Sequence, residues 1–506
     1  MTTAATIEPA RSAHAANSDV VARILNYDFT QPLAFVALAV VYLATRLPFI
    51  NTGYGTDPDA WRVAISGYWL WDHHEFYPSR LPGYPVHELA TAAVIKGGWL
   101  ATNSLTVLVS LVGLWFFARL VQLLEIPNKA VIVIAFAFTP LIWINSMTTM
   151  DYMWSLSFVL GSYYFLLREG TSRAGFMLGL AAGCRLPALA MLVPFVVYLW
   201  RDDRREEIRD LVTWTVFVPV VAYAPIAWKY GFLFLNFYDA KVDVLNVLRL
   251  LGKDTLGLLG SMAVLAAAAI SLPRLARLPV DFMRDKNVMV WILAIGTGIV
   301  VFLRLPHEAA YLLPVYPFGF LVMAKYFQRW VLAGAVAVII LAGFVDLTSP
   351  GDEITSETFT SAEVGRGLIL SNQDTQELQR TFVRDLANQQ IPNRSVVSLG
   401  FIYPQFVIRN RDRLEVGILE KDRGSISQLS DKGKATDRER DITYVWLLDW
   451  DAFEEYRSQG YTLFHTLDSG RSTAGLYDYR PALLGSTAID LGRGPSGGSG
   501  AARTDR

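Results

Sequence analysis

Long apolar runs dominate this sequence and decide what it can fold into. A helix needs about 20 mostly apolar residues to cross the hydrocarbon core of a bilayer, and such runs recur between residues 32 and 347. Hydrophobic residues make up 53% of the 506 residues and charged residues only 18%, which is below the usual share of a soluble domain. The candidate membrane segments are 32–50, 101–123, 130–148, 151–167, 174–199, 211–228, 255–272, 288–305, 310–326 and 329–347. The sequence therefore predicts a polytopic α-helical membrane protein with about 10–12 membrane helices.

Charge and cysteine content narrow the function classes. The formal net charge is −1, so nothing indicates a nucleic-acid partner. A single cysteine, Cys184, excludes an intramolecular disulfide and a cysteine-based metal cluster. The sequence has no P-loop, no HExxH zinc motif and no internal repeat of the kind that marks many transporters. Nucleotide hydrolysis is therefore not expected.

Lysine and arginine residues cluster in a few short loops and predict the orientation of the helices. By the positive-inside rule, the cytoplasmic loops are those at 168–173, 201–209, 274–286 and 325–329. Residues 1–30 are polar and rich in Ala and Ser, so we expect a disordered cytoplasmic N-terminus. The loop at 51–100 and everything after residue 348 then lie on the outer side.

This alternation requires that segment 174–199 enters and leaves on the cytoplasmic side. Its centre contains Gly183, Arg185 and Pro187. A proline and a charge in the middle of an apolar run break one long helix into two short ones. The sequence therefore predicts a re-entrant hairpin in this segment.

The composition changes after Pro350, where charged residues and short β-type patterns replace the apolar runs. The patterns SVVSLG, RLEVGILE, ITYVWLLD and YTLFHTL predict strands, and NQDTQELQRTFVRDLANQQ and WDAFEEYRSQ predict helices. Residues 349–485 are therefore expected to form an extracytoplasmic α/β domain. The Gly/Ser-rich residues 486–506 are expected to be a disordered tail.

The acidic motif at 57–59 opens the outer loop. Asp57 is a natural N-cap, Pro58 suits the first helical position, and Asp59 favours the positive end of the helix. Two interpretations are open: the carboxylates only cap the helix, or one acts as a general base or metal ligand for an acceptor hydroxyl. Arg62, three residues after Asp59, could pair with it or bind a phosphate.

Several further ionisable residues are predicted to lie at the outer membrane boundary or, in the case of Arg185, within the re-entrant hairpin. Charges at membrane depth are costly and usually have a partner or a function. The alternative for each is a polar turn, a helix cap or an anchoring side chain. These candidates are Arg80, Tyr84, Asp151, Arg185, Lys229, Arg304, His307, Glu308 and Tyr311.

This layout resembles the GT-C superfamily of membrane glycosyltransferases, which includes the protein O-mannosyltransferases and the transferases that add aminoarabinose or galacturonic acid to lipid A. The matching features are the DPDAW motif in the first outer loop, the segment AGFMLGLAAGCRLPALAMLVPF and the element HEAAYLLPVYPF. In the last, HEAAY stands where many relatives have an Arg before the Tyr. Residues 31–348 would then form the catalytic membrane domain.

The resemblance implies a sugar, a hexose or a pentose, that is attached to a polyprenyl phosphate. Asp57 or Asp59 would deprotonate an acceptor hydroxyl on the outer face, and attack at the anomeric carbon would invert it. Cations among Arg62, Arg80, Lys229, Arg304 and His307 would stabilise the leaving phosphate. A divalent metal, if one takes part, would bind Asp57 and Asp59, and no other cofactor is implied.

The acceptor could be a lipid, a glycan or a protein, and the expected location is the plasma membrane of a prokaryote. Two alternative functions have the same layout. One is a flippase or transporter of lipid-linked sugars, which would favour pseudo-symmetric halves. The other is a ligase that takes a longer lipid-linked glycan.

Overall fold

The computed structural model describes residues 24–80, 82–231, 244–348, 363–387, 395–398, 402–409, 418–420, 444–447, 463–467 and 486–490. Residues 1–23 of the expected disordered N-terminus, the predicted helix WDAFEEYRSQ and the tail after residue 490 lie outside the described residues.

Helices form most of the described chain up to residue 342. In chain order they are α1 (Pro32–Arg46), α2 (Pro58–His73), α3 (Pro85–Val94), α4 (Gly98–Leu123), α5 (Lys129–Phe138), α6 (Pro140–Asn145), α7 (Tyr152–Leu167), α8 (Thr171–Cys184), α9 (Leu192–Arg201), α10 (Ile208–Tyr230), α11 (Val244–Leu251), α12 (Lys253–Ile270), α13 (Leu272–Leu275), α14 (Leu278–Arg284), α15 (Lys286–Arg304), α16 (Val315–Tyr326) and α17 (Arg329–Ala342).

The chain is an integral membrane protein by the length and composition of its helices. Within the described ranges, four helical stretches are long and apolar enough to cross a bilayer: Pro85–Leu123, Arg205–Lys229, Lys253–Ile270 and Lys286–Arg304. Shorter apolar helices account for most of the other predicted segments. In one of them a proline interrupts the predicted run. The segment predicted at 130–148 divides into α5 and α6 at Pro140.

The predicted break in segment 174–199 is confirmed. Helix α8 ends at Cys184, Arg185 adopts an extended conformation, and a 3-10 turn over Leu186–Met191 leads into α9. Helix α8 packs closely against α7 and α10. A Cβ at Gly179 would lie 2.6 Å from the Cβ of Val218, so the small residue allows the two backbones to approach. This packing positions Arg185 at the end of α8.

The described residues after 342 form two sheets and two helices. Strands β1 (Val345–Thr348) and β2 (Glu363–Arg366) form an antiparallel hairpin, and helices α18 (Leu368–Ala387) and α19 (Tyr403–Arg409) follow. The second sheet has the order β4-β3-β5-β6-β7. Its strands are β3 (Ser395–Ser398), β4 (Ile418–Glu420), β5 (Tyr444–Leu447), β6 (Leu463–Leu467) and β7 (Ser486–Asp490).

Each of the four sequence patterns predicted to form a strand contains one. These strands pair in parallel, and β7 pairs antiparallel to β6. Strand β7 lies at the start of the segment 486–506, which was expected to be a disordered tail. The sheet therefore extends to Asp490, beyond the expected domain boundary at 485.

Candidate active site

The loop between α1 and α2 carries Asp57, and hydrogen bonds hold the three backbone carbonyls of residues 53–55. Asn103 Nδ2 donates to the carbonyl of Gly53, at 2.8 Å, the amide of Thr149 donates to Tyr54, and the Trp61 indole donates to Gly55. Asp57 then caps α2 by accepting a 2.8 Å hydrogen bond from the amide of Asp59. The predicted N-cap is confirmed, and the loop has little freedom to move it.

Five side chains of alternating charge form a continuous chain next to Asp57. Arg62 Nη1 lies 2.7 Å from Asp59 Oδ1, and Arg80 Nε lies 2.7 Å from Asp59 Oδ2. Arg80 Nη2 donates to Asp151 Oδ1 at 2.9 Å, and Arg185 Nη1 donates to Asp151 Oδ2 at 2.8 Å. The chain joins the first loop, the start of α7 and the end of α8.

The turn that carries Arg80 is held by a buried carboxylate. Glu88 accepts hydrogen bonds from the backbone amides of Ser79, at 2.8 Å, and Tyr84, at 3.1 Å. The Arg80 guanidinium stacks 3.9 Å from the centre of the Tyr84 ring. The ion pairs with Asp59 and Asp151 and the stacking on Tyr84 together set the orientation of the Arg80 guanidinium.

Three carboxylates gather beside this chain. Asp57, Asp59 and Glu308 each have one oxygen within 4.8 Å of the others, and Glu308 accepts a hydrogen bond from the Tyr152 hydroxyl. Burial raises the pKa of Asp57 well above its ordinary value, and the charges of Glu308 and Asp59 add to the shift. Burial and the charge of Asp59 raise the pKa of Glu308 in the same way.

The same three carboxylates are the group of described residues that could hold a divalent cation. Carboxylate oxygens are ligands that Mg²⁺ and Ca²⁺ prefer. Both oxygens of Asp59, however, already contact guanidinium groups. Asp57 and Glu308 would therefore supply most of the available lone pairs.

An apolar cavity of about 260 Å³ opens next to the alternating-charge chain. Arg185, Tyr152 and Tyr311 form its polar end, where the Arg185 guanidinium lies 4.1 Å and 4.7 Å from the centres of the two rings. The rest of the wall comes from α7, from the 3-10 turn after α8, from α15 and from the segment between α15 and α16. It includes Val159, Pro187, Ala188, Met191, Gly298, Val301, Leu305, Leu313 and Pro314.

The structure brings most of the predicted site residues together. Those that meet in the charge chain, the carboxylate group or the polar end of the cavity are Asp57, Asp59, Arg62, Arg80, Tyr84, Asp151, Arg185, Glu308 and Tyr311. Arg304 lies in the wall of the cavity. The side chain of His307 is exposed, and Lys229 forms an ion pair with Glu75.

Sequence reasoning missed three residues that support the site: Tyr152, Glu88 and Tyr223. The Tyr223 hydroxyl donates to the carbonyl of Gly83 at 2.9 Å and so ties α10 to the Arg80 turn. The signal for Glu88 was present, because a carboxylate within an otherwise apolar helix needs partners. Tyr152 and Tyr223 carried no such signal, since tyrosines are common at membrane interfaces.

The fold of the described residues is that of a polytopic α-helical membrane protein, as the sequence predicted. The solved structures that share this fold include two of ArnT from Cupriavidus metallidurans. The apo form has a TM-score of 0.50 at 13% sequence identity and covers 86% of this chain and 94% of ArnT. The form bound to undecaprenyl phosphate has a TM-score of 0.54 at 14% identity, with coverages of 85% and 93%. No family model and no curated protein sequence matches this chain.

Proposed function

We propose that this chain is a membrane glycosyltransferase that moves a sugar from a polyprenyl-phosphate donor to an acceptor hydroxyl on the outer face of the membrane. The observation that carries the proposal is the apolar cavity that ends at Arg185, one end of the alternating-charge chain. Such a cavity suits a ligand with a long hydrocarbon chain and an anionic head. The ArnT structure with undecaprenyl phosphate supports this ligand class, since it shares the fold.

Arg185 is the phosphate contact that we propose. It lies at the polar end of the cavity, where the rings of Tyr152 and Tyr311 exclude water from one side of the guanidinium. A charge contact is stronger in such a place than in bulk water. Arg304 lines the wall of the same cavity and is the second cation that we propose for the phosphate.

Asp57 is a better general base than Asp59. Both oxygens of Asp59 contact arginines, so Asp59 serves to hold Arg62 and Arg80. Asp57 has one oxygen bonded to a backbone amide and a raised pKa, which suits a base that works near neutral pH. Asp57 takes the acceptor proton as the acceptor oxygen bonds to the anomeric carbon. The bond from that carbon to the phosphate oxygen breaks, and the electron pair leaves with the phosphate.

The charges of the site balance without a divalent cation. Arg62, Arg80 and Arg185 face four carboxylates, those of Asp57, Asp59, Asp151 and Glu308. The raised pKa values of Asp57 and Glu308 favour a proton on one of the two carboxylates, which would remove the excess negative charge. A cation bound there would make Asp57 a weaker base, so we expect EDTA to leave the transfer rate unchanged. Loss of transfer in EDTA that Mg²⁺ or Mn²⁺ restores would contradict this and assign the three carboxylates as metal ligands.

The test is transfer from a panel of polyprenyl-phosphate sugars by the purified protein, with products identified by mass spectrometry. Asp57→Asn should lower the transfer rate by roughly 100- to 10,000-fold, which is the usual contribution of a general base. Asp72→Asn is the matched control, because Asp72 is exposed at the far end of the same helix. Transfer at the wild-type rate by Asp57→Asn would refute the base assignment.

The alternative functions predict different results in the same experiment. A flippase would move the donor across the bilayer without changing its mass. A ligase would use only donors that carry an oligosaccharide. Transfer of a single sugar from the donor to a hydroxyl would contradict both.

A further inference from the structure

Helix α18 presents a row of amide side chains to the loop that carries Asp57. Asn372, Gln376 and Gln379 lie at spacings of four and three residues, which places them on one face of the helix. Asn372 Nδ2 donates to the Thr56 hydroxyl at 3.0 Å, and Gln379 Nε2 donates to the Thr56 carbonyl at 3.3 Å. Thr56 is the residue immediately before Asp57.

The amide row is itself held in a fixed orientation. The Gln376 side-chain carbonyl accepts from the Thr52 hydroxyl, and its Nε2 donates to Asn372 Oδ1 at 3.0 Å. Gln405 of α19 donates to Gln379 Oε1 at 2.7 Å. Gln376 and Gln405 are both buried. A set of amides whose donors and acceptors are matched in this way rigidifies the contact.

The three backbone carbonyls before Thr56 accept hydrogen bonds from residues outside the C-terminal region. The carbonyls of Gly53, Tyr54 and Gly55 are bound by Asn103, by the Thr149 amide and by Trp61. At Thr56, by contrast, both the hydroxyl and the carbonyl accept from α18. The last residue before the proposed base is therefore held by the C-terminal region, and the preceding three are held by residues outside it.

We propose that Asn372, Gln376 and Gln379 are positioning residues, through which the C-terminal region fixes Asp57 relative to Glu308 and the reacting hydroxyl. The proposal rests on the proposed function, since it assigns a task to the same site. Misplacement of a catalytic group by about 1 Å can cost roughly 100-fold in rate. Among the described residues, the hydrogen bonds of the amide row go neither to residues that line the cavity nor to Arg185, so donor binding should not depend on the row.

This role has a pH signature that a merely structural role does not have. The charged and titratable groups that face Asp57 are Glu308, Asp59, Arg80 and Tyr152. Burial is the main reason for the raised pKa of Asp57, and Glu308 is the next. If Thr56 loses its amide partners, water reaches Asp57 and its distance from Glu308 increases. The pKa of Asp57 then falls, and the acid limb of the rate profile moves to lower pH.

The experiment compares full-length Asn372→Ala/Gln379→Ala with Gln373→Ala, which makes the same type of change on the same helix outside the amide row. We expect the double variant to lower kcat by roughly 10- to 100-fold, with the donor KM within about twofold of wild type and the acid limb at lower pH. The control should match wild type in all three. Equal melting temperatures in detergent show that the variants are folded.

A double-mutant cycle tests the contact directly. Thr56→Val removes the hydroxyl that Asn372 binds, so its effect on kcat should not add to that of Asn372→Ala. Additive effects would overturn the inference, as would an amide-row variant with the rate and pH profile of the Gln373→Ala control. Asp57→Asn, measured alongside, separates the two failures: if it is inactive while the amide-row variants match wild type, only the positioning role is wrong.

Discussion

The Arg80 guanidinium donates a 2.9 Å hydrogen bond to Asp151, a residue 71 positions further along the chain. The same guanidinium contacts Asp59 at 2.7 Å, so one side chain joins the first loop to the start of α7. Asp151 is fully buried and Arg80 nearly so. Removing one member of a buried ion pair leaves an uncompensated charge. The five side chains of the alternating-charge chain therefore depend on one another for their charge balance.

Glu308→Gln should move the acid limb of the rate profile to lower pH. The neutral amide removes the negative charge that helps to raise the pKa of Asp57, while its carbonyl can still accept the Tyr152 hydrogen bond. A lower pKa means that Asp57 remains deprotonated at lower pH. The measurement is kcat/KM from pH 5 to 9. Glu206→Gln, at an exposed position in the loop between α9 and α10, is the control, and an unmoved acid limb in Glu308→Gln would contradict the prediction.

Arg185→Lys should weaken donor use by about 10- to 100-fold in kcat/KM, the loss expected for a hydrogen bond to a charged group. Lysine keeps the positive charge beside Asp151 but not the planar fork of donors. The variant therefore tests phosphate geometry and not only charge. Arg173→Lys makes the same change at an exposed residue and should have the wild-type value. Unaltered kinetics in Arg185→Lys would remove Arg185 from the proposed phosphate site.

Val301→Trp should discriminate against donors with a long polyprenyl chain. Val301 lies in the wall of the cavity, whereas its neighbour Val300 is 68% exposed. An indole in the cavity takes the space that the first isoprene units would occupy. We expect the KM for long-chain donors to rise at least tenfold, by the cost of overpacking, and that for short-chain analogues to change less. Val300→Trp is the matched control. An equal effect of the two substitutions would place the chain elsewhere.

Asp346→Ala should destabilise the fold without a direct effect on the chemistry. Helix α12 is kinked at Gly257, which has a φ of 77°. The two oxygens of Asp346 accept hydrogen bonds of 2.8 Å from the amides of Leu258 and Leu259. The loss of such a cap costs about 1–2 kcal/mol, seen as a lower melting temperature in detergent. Asp374→Ala breaks an exposed ion pair and should lower the melting temperature less than Asp346→Ala does. A larger fall in the melting temperature of Asp374→Ala would contradict the capping role of Asp346.

Local features of the sequence predicted much of this architecture. Apolar runs, proline breaks and N-caps depend on residues within one or two turns of each other. The break around Arg185 and Pro187 and the cap at Asp57 are therefore visible in the sequence and found in the structure. The same holds for the four parallel strands of the second sheet, whose patterns are short and β-branched. Strand β7 was missed because its Gly/Ser-rich neighbours dominate the composition of the tail.

Only the tertiary structure decided which charges meet. The sequence offered several cations for the phosphate without distinguishing among them, and it assigned no partner to Arg185. These cations were Arg62, Arg80, Lys229, Arg304 and His307. Packing of α8 against α7 and α10 brings Arg185 to Asp151, and the turn held by Glu88 brings Arg80 to both Asp59 and Asp151. Such contacts join residues from four separate segments, so they depend on helix packing and loop geometry, which no local pattern encodes. Apolar length determines that the chain enters a membrane, and the packing of its helices determines what the buried charges can do there.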